Sequence, residues 1–554
     1  MKPVWEAQLM LTAGSSPIGD PAVAAAPAPH LPEEAPPPLA SVDGAAPGGP
    51  RIDPTSLAED AVAVVARWLT TARAAETAAE HRSSDRMRAI IEDPVGVGFT
   101  MRFVDRVARH RRDALAAEQL ARLVGDGDLP VFLGRVDRLL LTAGARLAPV
   151  LPRIVMTLAR RRLRSLVGHL VVDSAPGPVH EHLAERRVDG YAMNVNLLGE
   201  AVLGDDEAER RFERTLALVD DPEIDYVSVK VSAIAAQLNM WAFDDTLARI
   251  EDRLRVLYGR AAIAPTPSGR PTFVNLDMEE HSDLELTIRA FTDLLDEPGL
   301  RHLDAGIVLQ AYLPDAFTAL QRITAWASAR RDAGGGEVKV RLVKGANLAM
   351  ERVDAAMHGW VQTPYDTKDD VDANYKRCVD WALRPVHVGA VRIGLASHNL
   401  FDVAWAHLLA EARGVSDRVE FEMLQGMAPA QARTVRDEAG GLLLYTPIVG
   451  REDFDVAVAY LFRRLEENAS DENFLRHLFT LRPGTPEFDA QADRFRRAVA
   501  RRWEVADLPR READRGAGDA VAPSTDGVFR NQPDIDPTLP SVRHRIEALT
   551  GRHP

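Results

Sequence analysis

The sequence predicts an α/β fold, a (β/α)8 TIM barrel preceded by an all-helical domain, and three observations carry that prediction. From Tyr191 onward short β-branched runs alternate with longer helical segments: "YAMNVNLL", "DYVSVKVSAI", "TFVNLDME", "AGIVLQAYL", "VKVRLVKGA", "VRIGLAS", "VEFEMLQ" and "LLLYTPI". Eight such units over about 290 residues suit a barrel, whose usual length is about 250. The G-x-G-x-x-G of an open doubly wound sheet is missing, since the first strand runs straight into "LLGEAV" and "DAGGGEVKV" lies before a strand rather than after one. From about Pro54 to Leu170, apolar residues recur at three- and four-residue spacing, as in "SLAEDAVAVVARWL" and "PVFLGRVDRLLLTAGARLAPVLPRIVMTLARRRLRSLV".

In chain order, residues 1–53 are rich in Ala and Pro and read as disordered, 54–180 as the helical domain, 181–500 as the barrel, and 501–554 as a linker-like tail ending in the short helical piece "SVRHRIEALTG". Composition is that of a soluble globular protein, 46% hydrophobic and 27% charged. A net charge of −15 argues against nucleic acid as the main partner, because phosphate binding needs a basic footprint. No apolar run reaches the length of a transmembrane span, and Glu6 interrupts the N-terminal apolar stretch, which argues against a signal peptide. The single cysteine, Cys378, excludes an intramolecular disulfide and a cysteine-rich metal site, fits a reducing cytoplasm, and reads as a small hydrophobe on a helix. The basic run Arg160, Arg161, Arg162 and Arg164 reads as a solvated helix face, with an anionic membrane surface as the alternative.

Barrel chemistry gathers at the C-terminal ends of the strands. There the sequence sets Lys230 after "YVSV", Asp277 after "FVNL", Gln310 after "IVL" and Arg341 after "VKV", with Glu200 closing the first unit and Tyr445 ending the last. Several charges of mixed sign at one end of a barrel suggest a site, because a buried charge is costly unless paired. Further on, "AYLFRRLEEN" places Tyr460, Arg463, Arg464 and Glu467 on one helical face, opposite Val458, Leu461, Phe462 and Leu465. By periodicity alone that polar face points to water. Only a final helix laid across the barrel mouth would bring its arginines over Lys230 and Asp277, and spacing does not decide between the two.

"RLVKGAN" (Arg341 to Asn347), "ASHNL" (Ala396 to Leu400), "YTP" at Tyr445 and above all "AYLFRRLEEN" resemble proline dehydrogenase, closest to the proline dehydrogenase module of the bifunctional proline utilization A enzymes, over about 54 to 500. The resemblance implies a distorted barrel whose last helix lies over the mouth, non-covalent FAD, and oxidation of L-proline to Δ1-pyrroline-5-carboxylate with a membrane quinone as acceptor. It implies that Arg463, Arg464 and Lys230 hold the proline carboxylate, that Tyr445, Tyr460 and Leu342 enclose the ring, and that Asp277, Glu200 and Glu467 pair with the cations. It sets Arg341 beside flavin N5, Gln310 near the pyrimidine edge, and Val343, Lys344, Gly345, Ala346, Ser397, His398, Asn399 and Gln425 along the rest of the FAD site. Physical chemistry agrees: guanidinium forks suit a carboxylate, positioning over the flavin supplies much of the rate, and a nearby cation tunes flavin potential. No histidine reads clearly as a base for the proline ammonium proton, and water or solution pH can suffice.

Three residues depart from well-known members: Asn347 and Leu348 replace Tyr-Trp after "KGA", and Gln425 stands where a His is usual. The chain ends soon after "FRNQPDIDPTLP", which resembles the linker into an NAD-dependent aldehyde dehydrogenase, so this chain is not expected to perform the second oxidation; it reads as a shortened form, a fragment, or half of a split pair with an aldehyde dehydrogenase partner. Two rival readings remain: an aldolase-like barrel forming a Schiff base on Lys230, and a non-catalytic partner of a separate aldehyde dehydrogenase.

Overall fold

The computed structural model describes residues 52–91, 93–108, 110, 112–125, 127, 129–167, 170–199, 202–263, 266–450, 453, 474–511 and 533–550. All eight expected strands form: β1 (Ala192–Leu197), β2 (Tyr226–Lys230), β3 (Phe273–Asp277), β4 (Ala305–Gln310), β5 (Val338–Val343), β6 (Val391–Ala396), β7 (Val419–Leu424) and β8 (Leu443–Val449). Each pairs in parallel with the next, and β8 returns to β1 in the register Ala192↔Leu443 to Leu197↔Ile448, which closes the barrel. A two-residue strand, Val172–Asp173, adds to the end of β8 through Val172↔Ile448.

Side chains alternate across a strand, so each strand divides into two sets. The outward set is apolar: Val227 and Val229, Val274 and Leu276, Val340 and Leu342, Ile393 and Leu395, Phe421 and Met423 are all buried in one core with the surrounding helices. The inward set is polar, carrying Asn194 and Asn196 on β1, Ser228 on β2, Asn275 and Asp277 on β3, Lys339 and Arg341 on β5 and Glu422 on β7, all buried. Strands covered on both faces are usually apolar throughout, so a charged interior is a departure that calls for a chemical reason. Gly394 on β6 makes room for it, because a Cβ there would come within 2.3 Å of Glu422 Oε1 and 2.7 Å of Lys339 Cε.

The described residues ahead of the barrel are mainly helical, apart from the short strand at Val172–Asp173, and divide between two cores. Helix Leu57–Ala74 buries Ala61, Val65, Trp68, Leu69 and Ala72, spaced along one face, and packs into the barrel's own core. Trp405, fully buried on the helix after β6, donates from Nε1 to Pro54 O at 2.9 Å and fastens the start of this region to the barrel. Phe99, Val107, Ala116, Leu120, Leu123, Ala145 and Met156 form a separate small core. There Asp93 caps helix Pro94–Phe103 by accepting from Gly96 N at 2.9 Å.

Beyond the barrel, helix Pro486–Arg501 packs on helix Lys368–Ala382, and Arg502 Nε donates to Asp380 Oδ2 at 2.7 Å. The expected terminal helical piece is helix Pro540–Thr550. The segment leading to it is docked, with Trp360 Nε1 donating to Asp534 O at 2.7 Å and Arg511 paired with Asp536 at 3.1 Å. Among the described residues no helix is long and apolar enough to cross a membrane.

Trp405→Ala should lower unfolding free energy by about 3–5 kcal/mol, the range for emptying a large aromatic site, measured by denaturant unfolding. A loss under about 1 kcal/mol would show that the barrel does not depend on this contact.

Candidate active site

Asp277, the last residue of β3, is the hub of the strand-end cluster. Its Oδ1 accepts from Arg341 Nη1 and from Asn275 Nδ2, each at 2.9 Å, while its Oδ2 accepts from Tyr445 OH at 2.9 Å. Arg341 also donates to Tyr226 OH at 3.1 Å and Ser228 Oγ at 3.3 Å, and its guanidinium stands 5.5 Å from the centre of the Tyr445 ring. Arg341 Nε lies 2.6 Å from Glu422 Oε2. That contact falls outside hydrogen-bond geometry, so it acts by charge rather than direction. Burial pulls Arg341 toward neutrality, but the carboxylates of Glu422 and Asp277 outweigh it and hold the guanidinium charged. Lys339, one turn of the pleat earlier, pairs with Glu422 at 2.7 Å and with Glu420, and those carboxylates hold its ammonium charged against the same burial.

Lys230 ends β2 in register with Asp277 and donates to Glu279 Oε1 at 2.5 Å. Gln310 ends β4 and donates to Met278 O at 3.0 Å, so its side chain braces the loop after β3. Thus Lys230, Asp277, Gln310, Arg341 and Tyr445 do converge at one end of the barrel. Tyr445 does so from the third residue of β8, which runs on to Val449 rather than ending there. The stagger of a closed barrel explains this, since Tyr445 pairs with Leu424, the terminal residue of β7.

Leu342 is corrected. It has no exposed surface and alternates with Lys339 and Arg341, so it faces the helices and cannot enclose a ligand in the mouth. Leu424 shares the inward face of β7 with Glu420 and Glu422, is half-buried, and stands beside Tyr445, so it is an apolar residue placed at the mouth. Glu422, Lys339, Tyr226 and Glu279 were also missed. For Lys339 and Glu422 the signal was present in "VKVRLV" and "VEFEML", where like charges recur at two-residue spacing, positive in one strand and negative in the other. Glu200, Tyr460, Arg463, Arg464 and Glu467 lie outside the described residues.

The turn after β5 builds a second charged cluster. Lys344 lies 2.5 Å from Asp372 Oδ1 and 2.6 Å from Asp402 Oδ2; Lys368 also pairs with Asp372, and Lys376 with Asp402. Three ammonium groups face two carboxylates, and burial pushes the Lys368 amine down to about 8 against the pull of Asp372. Gly345 follows with φ of +120°, where a Cβ would strike the Tyr312 ring at 2.5 Å, so the turn admits only glycine. Beside it Ser397 Oγ accepts from Asn399 N at 3.1 Å, Asn399 caps helix Leu400–Arg413 through Phe401 N, and His398 Nε2 accepts from Leu424 N at 3.0 Å. Gln425 Oε1 accepts from Thr446 Oγ1 at 3.0 Å and lies 2.7 Å from His182 Nε2. Asn347 stands at the start of helix Leu348–His358.

Three lysines against two carboxylates, beside a glycine turn and a helix N-terminus, are residues that could hold the pyrophosphate of a dinucleotide cofactor. A cavity of about 820 Å³, lined by Phe243, His281, Asp315, Arg322, Arg511 and Leu539, lies elsewhere, between barrel helices and the C-terminal segment, and contains none of the strand-end groups.

Comparison with known proteins bears on the chemistry. The model of the family "Proline dehydrogenase" matches residues 179–477. A proline dehydrogenase of Deinococcus radiodurans is 26% identical over 325 residues, covering 58% of this chain and 92% of that protein. The human mitochondrial proline dehydrogenase 1 is 31% identical over 165 residues, 29% of this chain and 26% of that protein. Among solved structures, proline utilization A from Corynebacterium freiburgense is 47% identical with a TM-score of 0.61, covering 73% of this chain and 38% of that one. Proline utilization A from Bdellovibrio bacteriovorus, inactivated by N-propargylglycine, is 25% identical with a TM-score of 0.70, covering 90% of this chain and 48% of that one. This chain therefore spans less than half the length of either proline utilization A protein. With its strand-end cluster inside the matched span, the chain belongs to the proline dehydrogenase family and is an enzyme of that class.

Proposed function

We propose that this enzyme oxidises L-proline to Δ1-pyrroline-5-carboxylate with bound FAD and passes the electrons to a quinone, as a cytoplasmic protein held at the inner membrane surface. A separate aldehyde dehydrogenase would take the product onward. The observation that carries this reading is the Asp277 hub, which fixes a charged guanidinium, a tyrosine hydroxyl and the end of β3 at one point in the mouth. Bound flavin would supply the two-electron acceptor for the hydride leaving the ring carbon next to nitrogen.

The chain's own groups would do the rest. Arg341, Gln310, Val343, Lys344, Gly345, Ala346, Lys368, Ser397, His398, Asn399 and Gln425 would hold the cofactor. The cations Lys230, Arg463 and Arg464 would hold the substrate carboxylate, with Glu200 and Glu467 orienting the arginines, Glu279 holding Lys230 and Asp277 holding Arg341. Tyr445, Tyr460 and Leu424 would enclose the ring and exclude water. Asp277 acts by positioning, because both its oxygens are engaged by protein donors. The Schiff-base alternative loses ground on one observation: the Lys230 amine is engaged by Glu279 at 2.5 Å, and is not presented alone to a carbonyl.

The decisive measurement is an absorbance spectrum of the purified protein without oxygen. A flavin band that bleaches on adding L-proline is expected, and a colourless protein that proline leaves unchanged would defeat the proposal. Arg463→Ala should weaken proline binding by roughly 2–5 kcal/mol, about 30- to several-thousand-fold, read from proline titration. A change under about threefold would put Arg463 outside the site. Arg341→Met leaves Glu422 and Asp277 without their buried guanidinium and should cost about 3–5 kcal/mol of stability besides lowering turnover. Unchanged denaturant midpoint and turnover would show that those carboxylates find their partners elsewhere.

A further inference from the structure

Helices Arg135–Leu147 and Pro152–Val167 form an antiparallel pair in the small helical region, and both of the pair's sides are apolar. The inner side, with Leu141, Ala145, Ala148, Val155, Met156 and Ala159, packs on helix Asp113–Gly125 and completes the small core. The outer side carries Val136, Leu139, Leu140 and Leu147 on the first helix, Val150 and Leu151 at the turn, and Ile154 and Leu158 on the second, with Leu139 and Val150 exposed by 70% and 76%. Leaving so many large apolar chains in water on one hairpin is costly, and isolated exposed leucines are ordinary whereas a contiguous set marks an interaction face. Among the described residues nothing covers it.

Charge identifies the occupant. From Pro130 to Val167 the sequence holds eight arginines and one acidic residue, Asp137, in a chain whose net charge is −15. Arg135, Arg146, Arg153, Arg161 and Arg162 are exposed, so guanidinium groups surround the apolar strip. An apolar face edged by arginines fits the boundary of an anionic bilayer, where leucines enter the acyl region and arginines meet the headgroups. Nucleic acid would use the arginines and leave the leucines in water. We infer that this hairpin is the surface by which the protein seats on anionic lipid, with Leu139, Leu140, Val150 and Ile154 entering the bilayer. The inference gives the proposed membrane-bound acceptor a physical place, yet it stands or falls without the barrel chemistry.

The test is sedimentation of the full chain with vesicles of phosphatidylcholine alone or mixed with phosphatidylglycerol. Binding is expected to the mixed vesicles, weaker on raising salt. The double substitution Leu140→Glu with Ile154→Glu should lower partitioning at least about tenfold, with thermal melting by circular dichroism unchanged. If that variant melts early, Arg135→Gln with Arg153→Gln leaves the apolar strip in place and should also reduce binding to the mixed vesicles. Absence of binding to the mixed vesicles, or equal binding by wild type and both variants, overturns the inference. So does a wild-type dimer in light scattering that Leu140→Glu with Ile154→Glu dissolves, because the strip would then belong to a second copy of this chain.

Discussion

The fold depends on keeping Lys339 and Arg341 paired inside a barrel that excludes water. Both extend inward from β5, and their carboxylate partners come from β3 and β7, on opposite sides of that strand. Buried pairs gain little over an apolar core, but removing one member strands the other at a cost of several kcal/mol. The interior therefore behaves as a unit. Gly394 gives up its side chain so that Lys339 and Glu422 can meet, and Tyr226 lies under both cations, its phenol kept protonated by burial and pushed up to about 12. Such an arrangement is poorly explained as a stability device. It is well explained as a mould that fixes Asp277, and through Asp277 the hydroxyl of Tyr445, at the open end of the barrel.

A second charged cluster outside the barrel has the opposite balance. Inside, acidic groups surround the cations; around Lys344, three lysines outnumber Asp372 and Asp402. The two clusters are joined by β5, whose Arg341 belongs to the first and whose following turn supplies Lys344 to the second. One strand thus places a fixed cation in the mouth and an anion-attracting surplus just beyond it. The glycine at 345 makes that adjacency possible, since its positive φ lets the chain turn against Tyr312 without a side chain between them.

Much of this was legible in the residues because strand and helix periods are so different. Each of the eight strands was read from a short β-branched run, and Lys230, Asp277, Gln310 and Arg341 from polar interruptions of those runs. The period-two rule was also sufficient to reject Leu342, which directly follows the inward Arg341, and to find Glu422 through its spacing from Glu420. Leu342 entered through the family resemblance, which carries a role over by position in the motif and not by the face its strand gives it. Other features were beyond local pattern. Nothing in "LAEDAVAVVARWL" says that this helix joins the barrel core while those after it build their own, because helical periodicity gives the buried face and not what buries it. Nor could spacing show that Gln425 meets His182, more than two hundred residues earlier in the chain.

The level at which the barrel ends is the last element that sequence alone could not supply. Polar residues at strand ends look equivalent when aligned by their own strands, yet closure with a stagger means that successive strands end at different heights. Asp277 and Lys230 are terminal residues in mutual register, whereas Arg341 has two residues of β5 above it and Tyr445 has four of β8. All four still meet near one level, because the tilt lifts β8 relative to β3. The part of β8 beyond Tyr445 then rises as a wall, extended sideways by the two-residue strand at Val172 that pairs with Ile448 and Val449 in the same sheet. Next to this wall the Tyr445 ring stands beside Leu424 and 5.5 Å from the fixed guanidinium of Arg341. For the proposed substrate, Tyr445 and Leu424 would meet the apolar ring carbons and leave the carboxylate to the cations, so that no buried pair has to be broken to admit it.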